Sequence, residues 1–331
     1  MAKELNVSAS TVSRALQDHP RISLTTREAV KRLAEKYNYQ PNVVASSLRT
    51  GSSQTVGVIV PGINRNFFSS VIGGMESLLA AAGYHLMICQ SHEKLKNEMA
   101  AIQTLIHARV DAVMLSISME THSYEHISAL MDSGIRVFFF DRVAESIQAG
   151  SVVVDDRLGA YHSVKHLLDQ GYRRIMHVSG AEEISIYRDR KRGYLDAMQE
   201  AGLEVDPSWV MAYPLNQVGG EAAFHAAYAG KLKPEAFFCA GDFAALGIMQ
   251  AARQAGISVP DNLGISGFAN EPFTAFVEPS LTTVDQQGLK MGSGVAEMFL
   301  RCEEEKSDPL QSEQKVLRPE LIIRNSSQRK K

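Results

Sequence analysis

Apolar and polar positions follow two regimes along this chain. Up to residue 50 they repeat at helical spacing, and from residue 54 short β-branched runs alternate with longer amphipathic stretches. In the first regime, residues 2–6 read as the tail of a helix with Ala2 and Leu5 turned inward. Val7 and Ser8 make a turn, and Ser8 is placed to cap a helix running to about Leu16. Val12 and Leu16 share one face of that helix, which leaves Ser10, Thr11, Ser13 and Arg14 outward. Asp18-His19-Pro20 breaks the pattern, and Ser23 caps a further helix whose Val30, Leu33, Ala34 and Tyr37 form one stripe. Pro41 stops it. Asn42 then caps a weak helix over about residues 43–49, and Gly51-Ser52-Ser53 forms a joint.

The second regime predicts strands at 56–60, 84–89, 112–116, 137–140 and 151–154, with helices at 68–82, 98–108 and 124–133 between them. The alternation restarts with helix 159–170, strand 175–178 and helix 189–201. Strand 210–212, helix 219–229, strand 236–239, helix 243–255, strand 265–267, helix 287–302 and a single strand at 316–321 follow. Strand–helix alternation implies parallel sheets with right-handed crossovers. Two runs of similar length predict an α/β fold: a helix-turn-helix headpiece followed by two doubly wound parallel-sheet subdomains, with a ligand cleft at their strands' carboxyl ends.

Charge distribution sharpens this picture. The 331-residue chain carries a formal net charge of −3, but residues 1–50 hold eight basic and four acidic side chains, a net +4 that leaves −7 on the remainder. A basic headpiece on an acidic body suits phosphate binding, although an ordinary solvated helical face would look similar. Cys89, Cys239 and Cys302 lie far apart without metal-ligand spacing and read as buried, reduced thiols. With no secretory leader and no bilayer-length apolar run, a cytoplasmic protein without membrane association is expected. Catalysis finds little support. His107, Arg109, Asp111 and the Asp155-Asp156 pair are chemically able, yet no nucleophile elbow, phosphate-binding loop, zinc pattern or dinucleotide glycine motif accompanies them. Neither a metal nor a cofactor is expected.

Several segments, in order, resemble the lactose/galactose-repressor (LacI/GalR) family of transcription factors. They are the 7–16 run, Tyr39-Gln40-Pro41-Asn42 with Ala45 and Leu48, Val56-Gly57-Val58-Ile59-Val60-Pro61, and Phe138-Phe139-Phe140-Asp141-Arg142. Val153-Val154-Asp155-Asp156, Arg190 before Gly193-Tyr194, Gly241-Asp242, Ile257-Ser258-Val259-Pro260-Asp261 and Pro279-Ser280-Leu281-Thr282-Thr283-Val284 complete the set. The resemblance implies a headpiece over residues 1–50, with a hinge helix at about 42–50, and a periplasmic-binding-protein-like effector and dimerisation domain over 53–326. One subdomain would comprise about 53–154 and 286–315, the other about 155–285 and 316–326, with a tail at 327–331 and three chain crossings between them.

The same resemblance implies a homodimeric, ligand-responsive regulator of carbohydrate genes, acting on a palindromic double-stranded operator. Ala9, Ser10 and Arg14 would read base edges, Arg14 bridging guanine O6 and N7. Ser8, Thr11, Ser13 and Asn42 would hold phosphates. Ala45 belongs to the hinge motif, and Leu48 would enter the minor groove as a wedge. Alternatives are a solvated Arg14 and a Leu48 packed on the sensor domain. For a sugar or sugar derivative the implied site is Asn66, Phe67, Phe68, Asp141, Arg190, Phe238, Asp242, Asn270 and Phe273, with Asn64 nearby, aromatic faces packing on the ring and charged forks fixing hydroxyls. Phe238 suits plain core packing equally, Asp242 a helix cap, and Asp155 a support of the subdomain crossover. There are two departures. Met1 stands inside the family's first helix, which is therefore expected to be short, and Ala269 occupies a position where many relatives carry an aspartate. A sugar receptor without DNA binding is the competing expectation.

Overall fold

The computed structural model describes residues 1–16, 18–39, 52–230, 233–306 and 313–329. The chain divides into two compact units, Met1–Ser53 and Gln54–Lys331. The expected hinge helix and its Asn42, Ala45 and Leu48 lie outside the described residues.

In the first unit, α1 (Ala9–Leu16) buries Val12 and Ala15, and α2 (Leu24–Lys36) buries Val30 and Ala34. Each starts on a serine cap: Ser8 Oγ accepts the Thr11 N–H at 3.0 Å, and Ser23 Oγ accepts that of Thr26 at 3.2 Å. The segment before Ser8 is not a regular helix. It forms turns, with the Leu5 N–H donating to the Met1 carbonyl at 3.0 Å. Met1, Ala2, Leu5, Val7, Leu16 and Ile22 pack around the small core of Val12, Ala15 and Val30.

The second unit begins with β1 (Thr55–Val60), α3 (Asn66–Ala81), β2 (His85–Gln90), α4 (Leu95–Ala108), β3 (Ala112–Leu115), α5 (Glu125–Asp132), β4 (Arg136–Phe140) and β5 (Gly150–Val154). Then follow α6 (Asp156–Asp169), β6 (Ile175–Ser179), α7 (Ser185–Glu200), β7 (Val210–Ala212), α8 (Gln217–Ala229), β8 (Ala236–Cys239), α9 (Asp242–Gln254), β9 (Gly264–Ser266) and β10 (Thr283–Asp285). The last elements are α10 (Gly288–Glu305), β11 (Gln314–Leu317) and β12 (Glu320–Ile322).

Two lobes result, each a sheet between helical layers. The first holds a six-stranded parallel sheet, ordered β11-β5-β4-β3-β1-β2. Its β1 is buried throughout except at Thr55, and Gly57 leaves room there for Leu105, whose Cδ1 a Cβ would approach to 2.6 Å. α3 and α10 cover one face of the sheet, and the core under α4 and α5 fills the other. The second lobe holds a four-stranded parallel sheet, β7-β6-β8-β9, packed by α8 and α9 on one side and by α6 and α7 on the other.

The chain passes between lobes three times: from β5 to α6, from β10 to α10, and from β11 to β12. The last crossing corrects an expectation. Instead of one strand over 316–321 there are two: Gln314–Leu317 runs parallel to β5, whereas Glu320–Ile322 pairs antiparallel with β10. The handover, expected after Lys315, falls at Arg318-Pro319. Proline has no N–H to continue a ladder, which suits the break. Two cysteines, Cys239 and Cys302, are buried, but Cys89 on the β2 edge is only half-buried.

Candidate functional site

The outward face of α1 is chemically distinct from its buried one. Ser8, Ala9, Ser10, Ser13 and Arg14 are exposed, and Thr11 is half-buried. The hydroxyls of Ser8, Ser10 and Thr11 already touch, with Ser8 Oγ 2.8 Å from Ser10 Oγ and 2.9 Å from Thr11 Oγ1. The cap therefore also clusters three hydroxyls at a helix N-terminus, where exposed backbone N–H groups suit an anion such as phosphate. Arg14 follows on the same exposed side.

Between the lobes lies a cavity of about 940 Å³, lined from the carboxyl ends of strands in both sheets. This is where open parallel sheets place ligands, because strand order reverses there and loops diverge. Pro61 follows β1, Asp141 follows β4, Gly180 follows β6, and Ala240 to Asp242 join β8 to α9.

Five predicted residues meet in this lining: Phe67, Phe68, Asp141, Arg190 and Asp242. Phe67 and Phe68 stack edge to face with centroids 5.1 Å apart. Arg190 is nearly buried. Its Nε donates to Asp156 Oδ1 at 2.6 Å and its Nη1 to the Ala240 carbonyl at 2.8 Å, leaving Nη2 with no acceptor among the described residues. The guanidinium lies 3.7 Å from the Phe268 ring centroid, a cation–π contact that fixes its plane. Burial lifts Asp156 to a pKa of about 7, against the downward pull of Arg190. Asp141 accepts the Ser116 hydroxyl at 3.2 Å, and its burial raises its pKa despite Arg142 and Arg190 nearby.

Asp242 opens α9 without capping it, so the helix-cap alternative does not hold. Its Oδ1 accepts the Thr283 hydroxyl at 2.6 Å and its Oδ2 the Glu271 N–H at 2.8 Å, and burial lifts its pKa to about 7. Asp155 does cap a helix, accepting the Leu158 N–H at 2.8 Å directly after the β5 crossing.

Four predicted residues fall outside the lining. Phe238 is wholly buried in the second lobe, its ring 4.8 Å from that of His177, which stacks in turn on Tyr194. Its strand is covered on both faces, so alternate positions cannot be told apart by hydrophobicity. Asn270 is committed to protein partners, donating to Asp285 at 2.9 Å and accepting from Arg324 at 3.0 Å. Phe273 sits behind the lining residue Phe243, with ring centroids 4.9 Å apart. Asn66 contributes its backbone N–H to Glu271 at 3.3 Å.

Matches to known proteins agree with this architecture. Residues 1–42 match the model of bacterial regulatory proteins of the lacI family, and residues 164–327 match that of the periplasmic binding protein-like domain. The HTH-type transcriptional repressor PurR of Vibrio campbellii is 31% identical over 330 residues, covering 98% of this chain and 97% of PurR. The chain belongs to the lacI family. The HTH-type transcriptional repressor CytR of Escherichia coli K12 is 30% identical over 329 residues, covering 99% of this chain and 95% of CytR. A crystal structure of the lac repressor dimer bound to operator and the anti-inducer ONPF superposes with a TM-score of 0.86 at 20% identity, covering 98% and 97% of the two chains. Such relatives are DNA-binding transcriptional repressors and not enzymes. Among the described residues, no helix is long and apolar enough to cross a membrane.

For a lacI-family cleft, the unforeseen residues are the instructive ones. Arg142 forms a two-pronged pair with Glu93 at 2.8 and 3.1 Å; burial disfavours its charge, but Tyr187, Glu93 and Asp141 around it hold the guanidinium's pKa above its ordinary value. Arg142 stands inside the Phe138–Arg142 motif, so a signal exists for it; Phe268 lies outside the motifs. Arg65, Phe243 and Glu271 stand in loops or at a helix start, where no periodicity marks them. Ala269, in place of the usual aspartate, lines the cleft with φ at 122°, and Glu271 two positions later provides a carboxylate. His92, Glu93 and Asp141 also line the cleft with left-handed φ of 51°, 60° and 61°. Backbone strain of this kind concentrates at binding sites, where surrounding structure enforces it.

Proposed function

We propose that this chain is a ligand-responsive repressor that binds a palindromic operator as a homodimer, with a sugar or sugar derivative as effector in the interlobe cleft. The observation that carries the DNA half is the face of α1 opposite Val12 and Ala15, with its hydroxyl cluster and Arg14 exposed beside a basic surplus in residues 1–50. Arg14 reads a guanine, Ala9 and Ser10 contact neighbouring bases, and Ser8, Thr11 and Ser13 hold phosphates. Asn42, Ala45 and Leu48 supply the hinge contacts, as the family resemblance implies.

The effector half is supported by the mixed lining: paired aromatic rings at Phe67 and Phe68, carboxylates at Asp141 and Asp242, and an arginine with one unsatisfied nitrogen. Apolar ring faces with convergent donors and acceptors suit a polyhydroxylated ring. The solved lac repressor dimer on its operator supports the dimeric arrangement, as do Met87, Ile88 and Phe276, large apolar side chains left exposed on this chain. An effector shifts the balance of cleft shapes by binding one better than the other.

The test is operator selection from random duplexes followed by titration across salt. A palindromic consensus whose affinity falls with added salt and responds to one member of a sugar panel supports the reading. Binding to no duplex at low ionic strength, with sugar binding intact, favours the receptor alternative.

A further inference from the structure

The two lobes are joined across the cleft mouth by contacts that need no ligand. α3 belongs to the first lobe, and its cap residue Arg65 makes no side-chain bond to the helix N-terminus. That terminus is served from the other lobe instead, where Glu271 Oε2 accepts the Asn66 N–H at 3.3 Å. Unsatisfied N–H groups and the helix dipole both favour a carboxylate there. The Arg65 guanidinium lies 4.2 Å from the ring centroid of Phe243, again on the second lobe. Arg65 also stabilises the ionised form of Glu271 against the effect of burial.

The second-lobe half of this contact is rigidly built. The Glu271 N–H is held by Asp242, its carbonyl accepts the Thr274 hydroxyl at 2.6 Å, and Phe243 rests on Phe273. The preceding Asn270 is pinned by Asp285 and Arg324. Separating the lobes would strip the start of α3 of its acceptor and Arg65 of its aromatic platform together.

We propose that Arg65 and Asn66 on one lobe, with Phe243 and Glu271 on the other, form a latch that holds the cleft closed before any effector arrives. The latch sets how much of the protein already has the closed shape, and hence how much of an effector's affinity is spent on closure. It concerns the lobes themselves and stands whether or not the cleft's ligand is a sugar. The interlobe ion pair of Arg188 with Glu145 is partly exposed and contributes little by comparison.

Interlobe distance in the full chain, without DNA or effector, tests this. Spin labels go on exposed Lys96→Cys and Glu204→Cys, one on each lobe, in a Cys89→Ser background. Pulsed dipolar spectroscopy is then compared for the parent, Arg65→Ala, Glu271→Ala, the double variant and Phe243→Leu. The expected result is a broadened distribution with its main peak displaced in each variant, and a double variant displaced no further than the larger single. Circular dichroism establishes folding, and Phe243→Leu, which leaves every hydrogen bond in place, carries the test if Glu271→Ala does not fold. Distributions superimposable on the parent overturn the proposal. So does displacement by Arg188→Gln where Arg65→Ala and Phe243→Leu produce none.

Discussion

Asp156 and Arg190 form a nearly buried pair, joined at 2.6 Å, in which a carboxylate from the start of α6 orients the arginine that α7 presents to the cleft. Replacing Asp156 by Asn leaves the nearly buried guanidinium charge unpaired, the costly way to break a buried pair. Asp156→Asn is expected to lower unfolding stability by about 3–5 kcal/mol, read from urea or guanidinium denaturation. An unchanged midpoint would show that solvent reaches Arg190 freely.

Asp242 gives a pH dependence of definite sign. Its carboxyl titrates at about 7 in the folded chain, against an ordinary value of 3.8. The native state therefore holds an extra proton between those values, and stability falls as pH rises through that window. The contribution is complete below about pH 4 and lost above 7. Thermal unfolding of the parent from pH 5 to 8 is expected to contain this decline, and Asp242→Asn is expected to make it shallower, the remainder coming from Asp156, which burial also lifts to about 7. A parallel slope in the two proteins would assign it to other groups.

Close helix packing in the second lobe depends on Gly193. A Cβ there would be driven into the Arg157 carbonyl and lie 2.8 Å from the Tyr161 nitrogen, both on α6. Neither backbone atom can rotate away. Gly193→Ala is expected to cost about 1–3 kcal/mol or more by overpacking, measured as a lower denaturant midpoint.

On the DNA side, Arg14→Ala is expected to lose roughly 1–3 kcal/mol of discrimination at a single base pair of the selected operator. Competition between the consensus and its single-base variants measures this. An equal loss on every duplex would make Arg14 a phosphate contact instead.

Helices and strands were largely legible because the signals that set them are local. The serine caps at Ser8 and Ser23, the repeated glycine stops and the β-branched runs act within a few residues of where they occur. The split of 316–321 is masked in the sequence, because the apolar residues on either side of Pro319 read as one continuous run. Phe238 is ambiguous in the sequence for a different reason: in a strand buried on both faces, its neighbour Phe237 is just as apolar and just as deep, and the structure selects core packing.

Composition, spacing and hydrophobic pattern specified a small helical headpiece and two α/β runs, and the family resemblance added Arg190 as a cleft residue. Tertiary structure decided which carboxylate steadies that arginine, which of the adjacent phenylalanines reach the cavity, and that Glu271 caps a helix of the opposite lobe. Hydrogen-bond capping and burial periodicity are written into neighbouring residues. Contacts between Asn66 and Glu271, 205 positions apart, exist only after the chain has crossed between its sheets.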